Sequence, residues 1–567
     1  RNPMIKIKEA GIHELFIPGL KAGACYKYEI KTKQGLPMLK AAPYANAAEL
    51  RPNTASIITE LGGFTWTDEK WLEQRKATDY KKEPMLIYEV HLGSWRKPEP
   101  DGEDAREFYT YRELAPMLAA YVKEMGYTHV ELIGICEYPF DGSWGYQVTG
   151  YFSPTSRHGT PNDLRYFVDK MHENGIGVIL DWVPAHFPKD SFGLESFDGT
   201  ALYESADPLL AEYPEWGTKA FDHSKGEVRS FLIASAFYWV KEFHIDALRV
   251  DAVAAMLYTS FGRQSWRPNR FGGTENLEST EFLKQLNSAV TKKTGAYLIA
   301  EDSSILPGVT ETVDKGGLGF MFKWNMGWMN DTLKYIKEDP LYRHWLHGKL
   351  THTADYAFTE NYVLVLSHDE VVHLKKPMLG KAPGGIEDQL ATLKTLYTFQ
   401  FTHPGKKLLF MGQDFGQERE WSEARELDWF LLQEDLNRGL HDYVKNLLEL
   451  YNKYPCLYEI DNSWDGFEWL NCDDKDRSTY SFFRKASNGK NNLMFIINMT
   501  PMKWENYKVG VPKKKKYKLL LNSDDVRFGG QGMEVPAEIT SVKESCDYRN
   551  YSLTLDLPPY SALIFVF

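Results

Sequence analysis

The sequence has no run near the roughly 18 uninterrupted apolar residues that a bilayer-spanning helix needs, so no membrane span is expected. Cysteine is scarce. Cys25, Cys136, Cys456, Cys472 and Cys546 are odd in number and widely scattered, with no CxxC spacing for zinc or redox work. They read as reduced thiols in a cytoplasmic protein. Positive charge is also short: the formal net charge is -12, whereas nucleic acid demands a basic face. The one basic cluster, Lys513 to Lys516, follows Pro512 and precedes an apolar run, so it reads as a solvated turn. The chain opens Arg1-Asn2-Pro3 with neither an initiator Met nor a signal-peptide apolar region, and the native N-terminus is expected upstream.

What is present is ordinary globular material, 43% hydrophobic and 25% charged over 567 residues, enough for roughly three or four domains. Residues 1–82 show short apolar segments such as Glu14 to Ile17 and Tyr26 to Ile30 among Gly and Pro, the texture of a truncated β-sandwich. Residues 83–454 repeat a unit of apolar strand, polar loop and helix-period segment. The strands expected are Leu86 to Leu92, His129 to Ile135, Gly177 to Trp182, Ile245 to Val250, Ala296 to Ala300, Leu318 to Phe322, Tyr362 to Leu366 and Lys407 to Met411. Thr160-Pro161 opens a helix and Asn174-Gly175 closes it. Strands that are apolar throughout and separated by helices predict an α/β fold, a closed (β/α)8 TIM barrel, with a doubly wound open sheet as the alternative. In residues 455–567 alternation returns to period two, in Ser478 to Arg484, Asn492 to Asn498, Tyr517 to Leu521, Ser552 to Leu557 and the terminal Ala562 to Phe567. This predicts a C-terminal β-sandwich.

In such a barrel the strand C-termini converge on one mouth, where polar residues face the catalytic cavity. Asp181, Asp251, Glu301 and Asp369 each follow an apolar strand. One such acid is most often a helix cap or a structural group. Four on four strands point to chemistry: metal binding, or acid/base and nucleophilic work on a glycosidic bond. A metal-dependent barrel hydrolase wants a His-x-His pair on the first strand, but Leu92 and Gly93 follow His91. His368 to His373 spaces its histidines five apart and so departs from the HExxH zinc pattern. No metal and no cofactor are expected. Acetal cleavage, by contrast, needs a nucleophile on one face of the anomeric carbon and a proton donor on the other. Arg249 precedes Asp251 by two residues, hence shares its strand face, and a guanidinium there keeps Asp251 ionised. Glu301 is then the acid, its pKa held up by neighbouring carboxylates, and His186 and His368 are the natural donors to sugar hydroxyls.

Asp181-Trp-Val-Pro-Ala-His186, Ala247-Leu-Arg-Val-Asp251, Ile299-Ala-Glu301-Asp302 and Leu366-Ser-His368-Asp369-Glu resemble, in order, the four sequence regions of the α-amylase superfamily. Further stretches, among them Lys40 to Tyr44, Ser143 to Gly150, Phe271 to Leu277, Lys323 to Met329 and Glu426 to Trp429, resemble the 1,4-α-glucan (glycogen) branching enzymes from about Tyr26 to the end. The resemblance implies a transferase that cuts an α-1,4 link and moves the freed chain to a 6-hydroxyl of amylose or glycogen. It implies Asp251 as nucleophile, Glu301 as acid/base and Asp369 as transition-state stabiliser. Tyr146, Asp181, His186, Arg249 and His368 would surround the sugar, with Tyr146 as a platform under the ring. Trp144 and Trp324 are read either as sugar-stacking residues or as packing.

Two positions depart from the family pattern. Leu374 stands where Gly is usual, and Phe221-Asp222-His223-Ser224 replaces an Asn-Tyr-Gly type of loop. Both are expected to alter acceptor or distal glucan contacts. The N-terminal sandwich, of glycogen-binding type by resemblance, is incomplete. A monomer is expected, acting on α-glucan. The competing readings are a hydrolase that loses its covalent intermediate to water and a non-catalytic glucan-binding scaffold.

Overall fold

The computed structural model describes residues 2–7, 11–99 and 106–567; Arg1, residues 8–10 and residues 100–105 lie outside the described residues. Near the N-terminus the apolar alternation yields three short antiparallel ladders. Ile5–Ile7 pairs with Ile12–Glu14, Cys25–Tyr26 with Ser56–Ile57, and Tyr28–Lys31 with Pro37–Lys40.

Eight parallel strands then close a barrel in sequence order. They are β1 (Leu86–His91), β2 (His129–Ile133), β3 (Gly177–Trp182), β4 (Ala247–Val250), β5 (Tyr297–Ala300), β6 (Phe322–Trp324), β7 (Tyr362–Leu366) and β8 (Lys406–Phe410). Their residues are almost all buried because helices cover the outer face and side chains fill the inside. The main helices are α1 (Tyr111–Met125), α2 (Pro161–Glu173), α3 (Gly226–Glu242), α4 (Leu277–Thr294), α5 (Met326–Lys337), α6 (Ile386–Thr402) and α7 (Asp435–Lys453). Helix α2 ends as the sequence predicts. Thr160 and Asp163 form a reciprocal capping box, Pro161 opens the first turn, and Gly175 follows at φ +76°.

The sixth strand is not where the hydrophobic pattern puts it. The expected span Leu318 to Phe322 shares only Phe322 with β6. Leu318 and Phe320 are buried in a loop whose backbone bonds to Gly308 and Val309, and Gly319 turns it at φ +87°. Apolar alternation there records packing of a loop on the barrel, which periodicity alone does not separate from a strand.

Past the barrel, β9 (Phe467–Asn471), β10 (Thr479–Arg484), β11 (Leu493–Asn498), β13 (Lys516–Asn522), β14 (Glu538–Thr540) and β16 (Ser561–Val566) form a six-stranded sheet. Strands β12 (Trp504–Val511) and β15 (Tyr551–Leu557) make a second sheet. Met494, Ile496, Leu563 and Phe565 from the first meet Val509, Val511, Leu553 and Leu555 from the second in one core, so the two sheets form a sandwich. Among the described residues no helix is long and apolar enough to cross a membrane, and all five cysteines are free thiols.

Candidate active site

Strand register decides which side chains meet at the mouth. Asp181 on β3 lies opposite Arg249 on β4, and Arg249 opposite Ile299 on β5, so Glu301, two residues past Ile299, faces the same cavity. The Arg249 guanidinium then works in two directions: Nη1 donates to Asp181 Oδ1 at 2.8 Å and to Asp251 Oδ1 at 2.7 Å. Its plane lies over the buried Trp324 ring, 4.3 Å from the centroid. Trp324 is therefore a support for Arg249, and the sugar-stacking reading of this residue is set aside: at 1% exposure it has no free face.

Asp251 carries a second cation-capable neighbour, His186, whose Nε2 is 3.7 Å from Oδ2. Burial pushes the Asp251 carboxyl up, but Arg249 and His186 outweigh burial and hold it below the ordinary aspartate value. Glu301 goes the other way. Burial, with Asp251 and Asp369 adding to it, raises its carboxyl to about 7 against the pull of Arg249. The neighbouring carboxylates expected from the sequence contribute, but desolvation is the larger cause. One oxygen, Oε2, accepts from the Ala252 amide at 2.8 Å, and Ala252 sits at φ +54°, a left-handed conformation costly for a residue with a Cβ. The strained residue after Asp251 thereby ties the two carboxylates to one another.

Tyr146 bridges the other side of the cavity. Its hydroxyl donates to Asp181 Oδ2 at 2.5 Å and lies 3.1 Å from His368 Nε2, while its ring stacks on the His368 ring at 5.5 Å. Asp181 is pushed up to about 6 by burial and by Asp251, against Arg249. Asp369 follows β7 and is half-exposed at the cleft, its Oδ1 3.7 Å from His368 Nε2. Trp144 is part-buried, stacked on His373 at 4.9 Å, with Nε1 donating to Glu423 at 3.3 Å.

Two carboxylates that the sequence reading passed over lie beneath this constellation. Glu89 on β1 and Glu131 on β2 are register partners and fully buried. Glu89 holds His368 by two hydrogen bonds, from the amide at 2.9 Å and with Nδ1 at 2.5 Å. Burial alone would lower the His368 pKa, but Glu89 and Asp369 raise it to about 10. Neither oxygen of Glu131 has a hydrogen-bond partner, and burial, with Glu89 adding to it, pushes its carboxyl far up, so Glu131 is a neutral acid. A buried glutamate inside an apolar strand gives no periodic signal; the only hint was a charge where a core residue belongs.

The His368 shift makes a stability prediction. A cation raised from 6.5 to about 10 stabilises the folded state fully below pH 6.5, and that contribution is lost as pH rises through about 10. Thermal unfolding followed from pH 6.5 to 10 is expected to show falling stability, with a shallower slope in Glu89→Gln. Equal slopes in the two proteins would remove this pair as the source.

Leu374 stands at φ +65° and is 95% exposed, between His373 at +53° and Lys376 at +68°. The glycine usual there has no Cβ to strain this turn.

Comparisons with known proteins bear on the fold and the family. The family model for the α-amylase catalytic domain matches residues 118–200, and that for the α-amylase C-terminal all-β domain matches residues 469–567. A putative α-amylase from Salmonella typhimurium superposes with TM-score 0.70 at 18% identity, covering 100% of this chain and 94% of that one. Pullulanase type I from Bacillus subtilis superposes with TM-score 0.74 at 17% identity, over 100% and 80%. These likenesses establish the fold. Sequence goes further: the 1,4-alpha-glucan branching enzyme GlgB of Butyrivibrio fibrisolvens is 56% identical over 100% of this chain and 89% of its own length. That of Oceanobacillus iheyensis is 49% identical over 100% and 88%. With an amylase-type barrel, a C-terminal sandwich and identity of this order along its whole length, the chain belongs to the 1,4-α-glucan branching enzyme family.

Proposed function

We propose that this branching enzyme cuts an α-1,4 glucan link by covalent displacement, with Asp251 as nucleophile, Glu301 as acid and then base, and Asp369 stabilising the transition state. The observation that carries the assignment is the opposite displacement of two neighbouring carboxyls: Asp251 held ionised by Arg249 and His186, Glu301 held protonated near neutral pH. A nucleophile must be an anion and a proton donor an acid, and one environment supplies both.

In the first step an Asp251 oxygen bonds to the anomeric carbon, the glycosidic C–O bond breaks, and the Glu301 proton goes to the departing oxygen. In the second, ionised Glu301 takes the proton of an incoming 6-hydroxyl whose oxygen displaces Asp251. In the transition state of each step the ring carries partial positive charge, which the carboxylate of Asp369, half-exposed at the cleft, stabilises in this reading. In this reading His186 and His368 bond the sugar hydroxyls, Tyr146 lies under the ring and Asp181 borders it, while Arg249 bonds to both Asp181 and Asp251 and keeps them oriented.

Branching and hydrolysis share the first step, so the acceptor decides. A glucan held beside the intermediate has an effective molarity that bulk water does not match. Amylose incubated with the protein is expected to lose its iodine colour with almost no rise in reducing ends, and debranching should then release short linear chains. Reducing ends rising in step with bonds cut would replace the transferase by a hydrolase.

The position between Asp181 and Asp251 is taken by the Arg249 nitrogen, which leaves no room for a divalent ion between those two carboxylates. Extended chelation is therefore expected to leave the rate on amylose unchanged. A loss restored by one particular divalent ion would overturn that expectation.

A further inference from the structure

A cavity of about 250 Å³ lies between the loop around residues 205–224 and the segment 259–279 that leads into α4. Tyr213 and Phe221 form apolar parts of its wall. Its volume is many times the roughly 10–15 Å³ that one water requires, so it admits a ring-sized ligand.

Its charges are mixed. Arg263 and Arg267 line it together with Asp222, Glu275 and Glu278. Much of this charge is already engaged: Arg263 donates to the carbonyls of Glu212 and Thr259, and Arg267 pairs with Asp207 at 2.5 Å. An anion entering would meet three carboxylates, and a cation two guanidiniums. A neutral ligand rich in hydroxyls, able both to donate and to accept, suits the lining better than either. A run of ring contacts links the cavity wall to His186 in the catalytic cleft. Tyr213 lies 4.8 Å from Trp216, and Trp216 lies 5.0 Å from His186, the neighbour of Asp251. Trp216 sits at the exposed tip of the hairpin made by Glu212–Tyr213 and Thr218–Ala220, with part of its indole open to solvent. Exposed indole faces and mixed hydrogen-bonding walls are how proteins hold pyranose rings, apolar on their faces and polar at their edges.

We propose that this cavity, with Trp216 at its approach, is a second α-glucan subsite that holds one or two sugar units of a chain lying across the cleft. The proposal rests on the glucan-transferase reading and adds a place for the chain beyond the cleavage subsite. It also gives a location to the Phe221 to Ser224 departure, since all four residues line the cavity.

Equilibrium dialysis of maltotriose against the whole chain, together with amylose kinetics, tests it. Ser205→Phe should fill the space, and Glu278→Ala should remove a hydrogen-bonding group without filling it. With Ser205→Phe, bound maltotriose should fall by one per chain and KM for amylose should rise about fivefold, the order expected for a lost hydrogen-bonded contact, with kcat little changed. Glu278→Ala should weaken that same site severalfold, and it decides the matter alone if Ser205→Phe unfolds. Unchanged stoichiometry and KM in the folded variants would overturn the proposal, as would inorganic phosphate displacing maltotriose from this site. An unaltered chain inactive on amylose would instead overturn the transferase reading, which a failure of the cavity leaves intact.

Discussion

Asp251→Asn is expected to lower turnover on amylose by roughly 10⁴-fold or more, the scale seen when a covalent nucleophile or its partner is removed. The amide has the shape of the carboxylate and keeps an oxygen toward the Arg249 Nη1 that now lies 2.7 Å away. What it loses is the charge that attacks carbon. Arg249 retains Asp181 as a partner at 2.8 Å, so the buried guanidinium is not left without a counter-charge. The unfolding temperature should therefore move little while kcat collapses, and the two measurements together separate chemistry from folding. Activity within about tenfold of the unaltered protein would take Asp251 out of the nucleophile's role.

The second large effect is in the pH profile. Cleavage needs Asp251 ionised and Glu301 protonated, and their pKa values are displaced apart, the first below its ordinary value and the second up to about 7. The rate per unit of free enzyme and substrate should hence rise with pH as Asp251 ionises and fall as pH passes about 7 and Glu301 loses its proton. Glu301→Gln should abolish that upper limb and cut kcat on amylose by about 10²- to 10⁴-fold, the usual worth of a positioned acid. A donor with a good leaving group, which needs no proton to depart, should lose far less in the first step. An upper limb that persists in the Gln variant would assign the titration to another group; Asp181, raised to about 6, is the first to test.

How much of this was legible before any coordinates depends on how local each signal is. Asp181, Asp251, Glu301 and Asp369 are announced by position, each following an apolar run at or just past the end of a strand, and Arg249 by its two-residue spacing from Asp251. The barrel was legible for the same reason, because each βα unit writes its own pattern. Leu318 to Phe322 misled because burial leaves the same apolar spacing on a packed loop as on a strand. Trp324 misled because an aromatic at a strand end suits sugar stacking and cation support equally well, until burial is known.

By itself, then, the sequence determined the βα order, the strand-end acids and the pairing of Arg249 with Asp251, all of which are set by residues within one strand or one turn. Only the tertiary structure decided the rest. Glu89 holds His368 from 279 residues away, because barrel closure sets β1 beside β8 and within reach of the end of β7. Glu131 becomes a neutral buried acid only where Glu89 and desolvation meet, Leu374 is strained only by the turn it occupies, and the cavity beside Tyr213 exists only between two distant loops. Charge regulation, backbone strain and enclosed volume arise from what is brought together in space, and the order of residues along the chain carries no period for any of them.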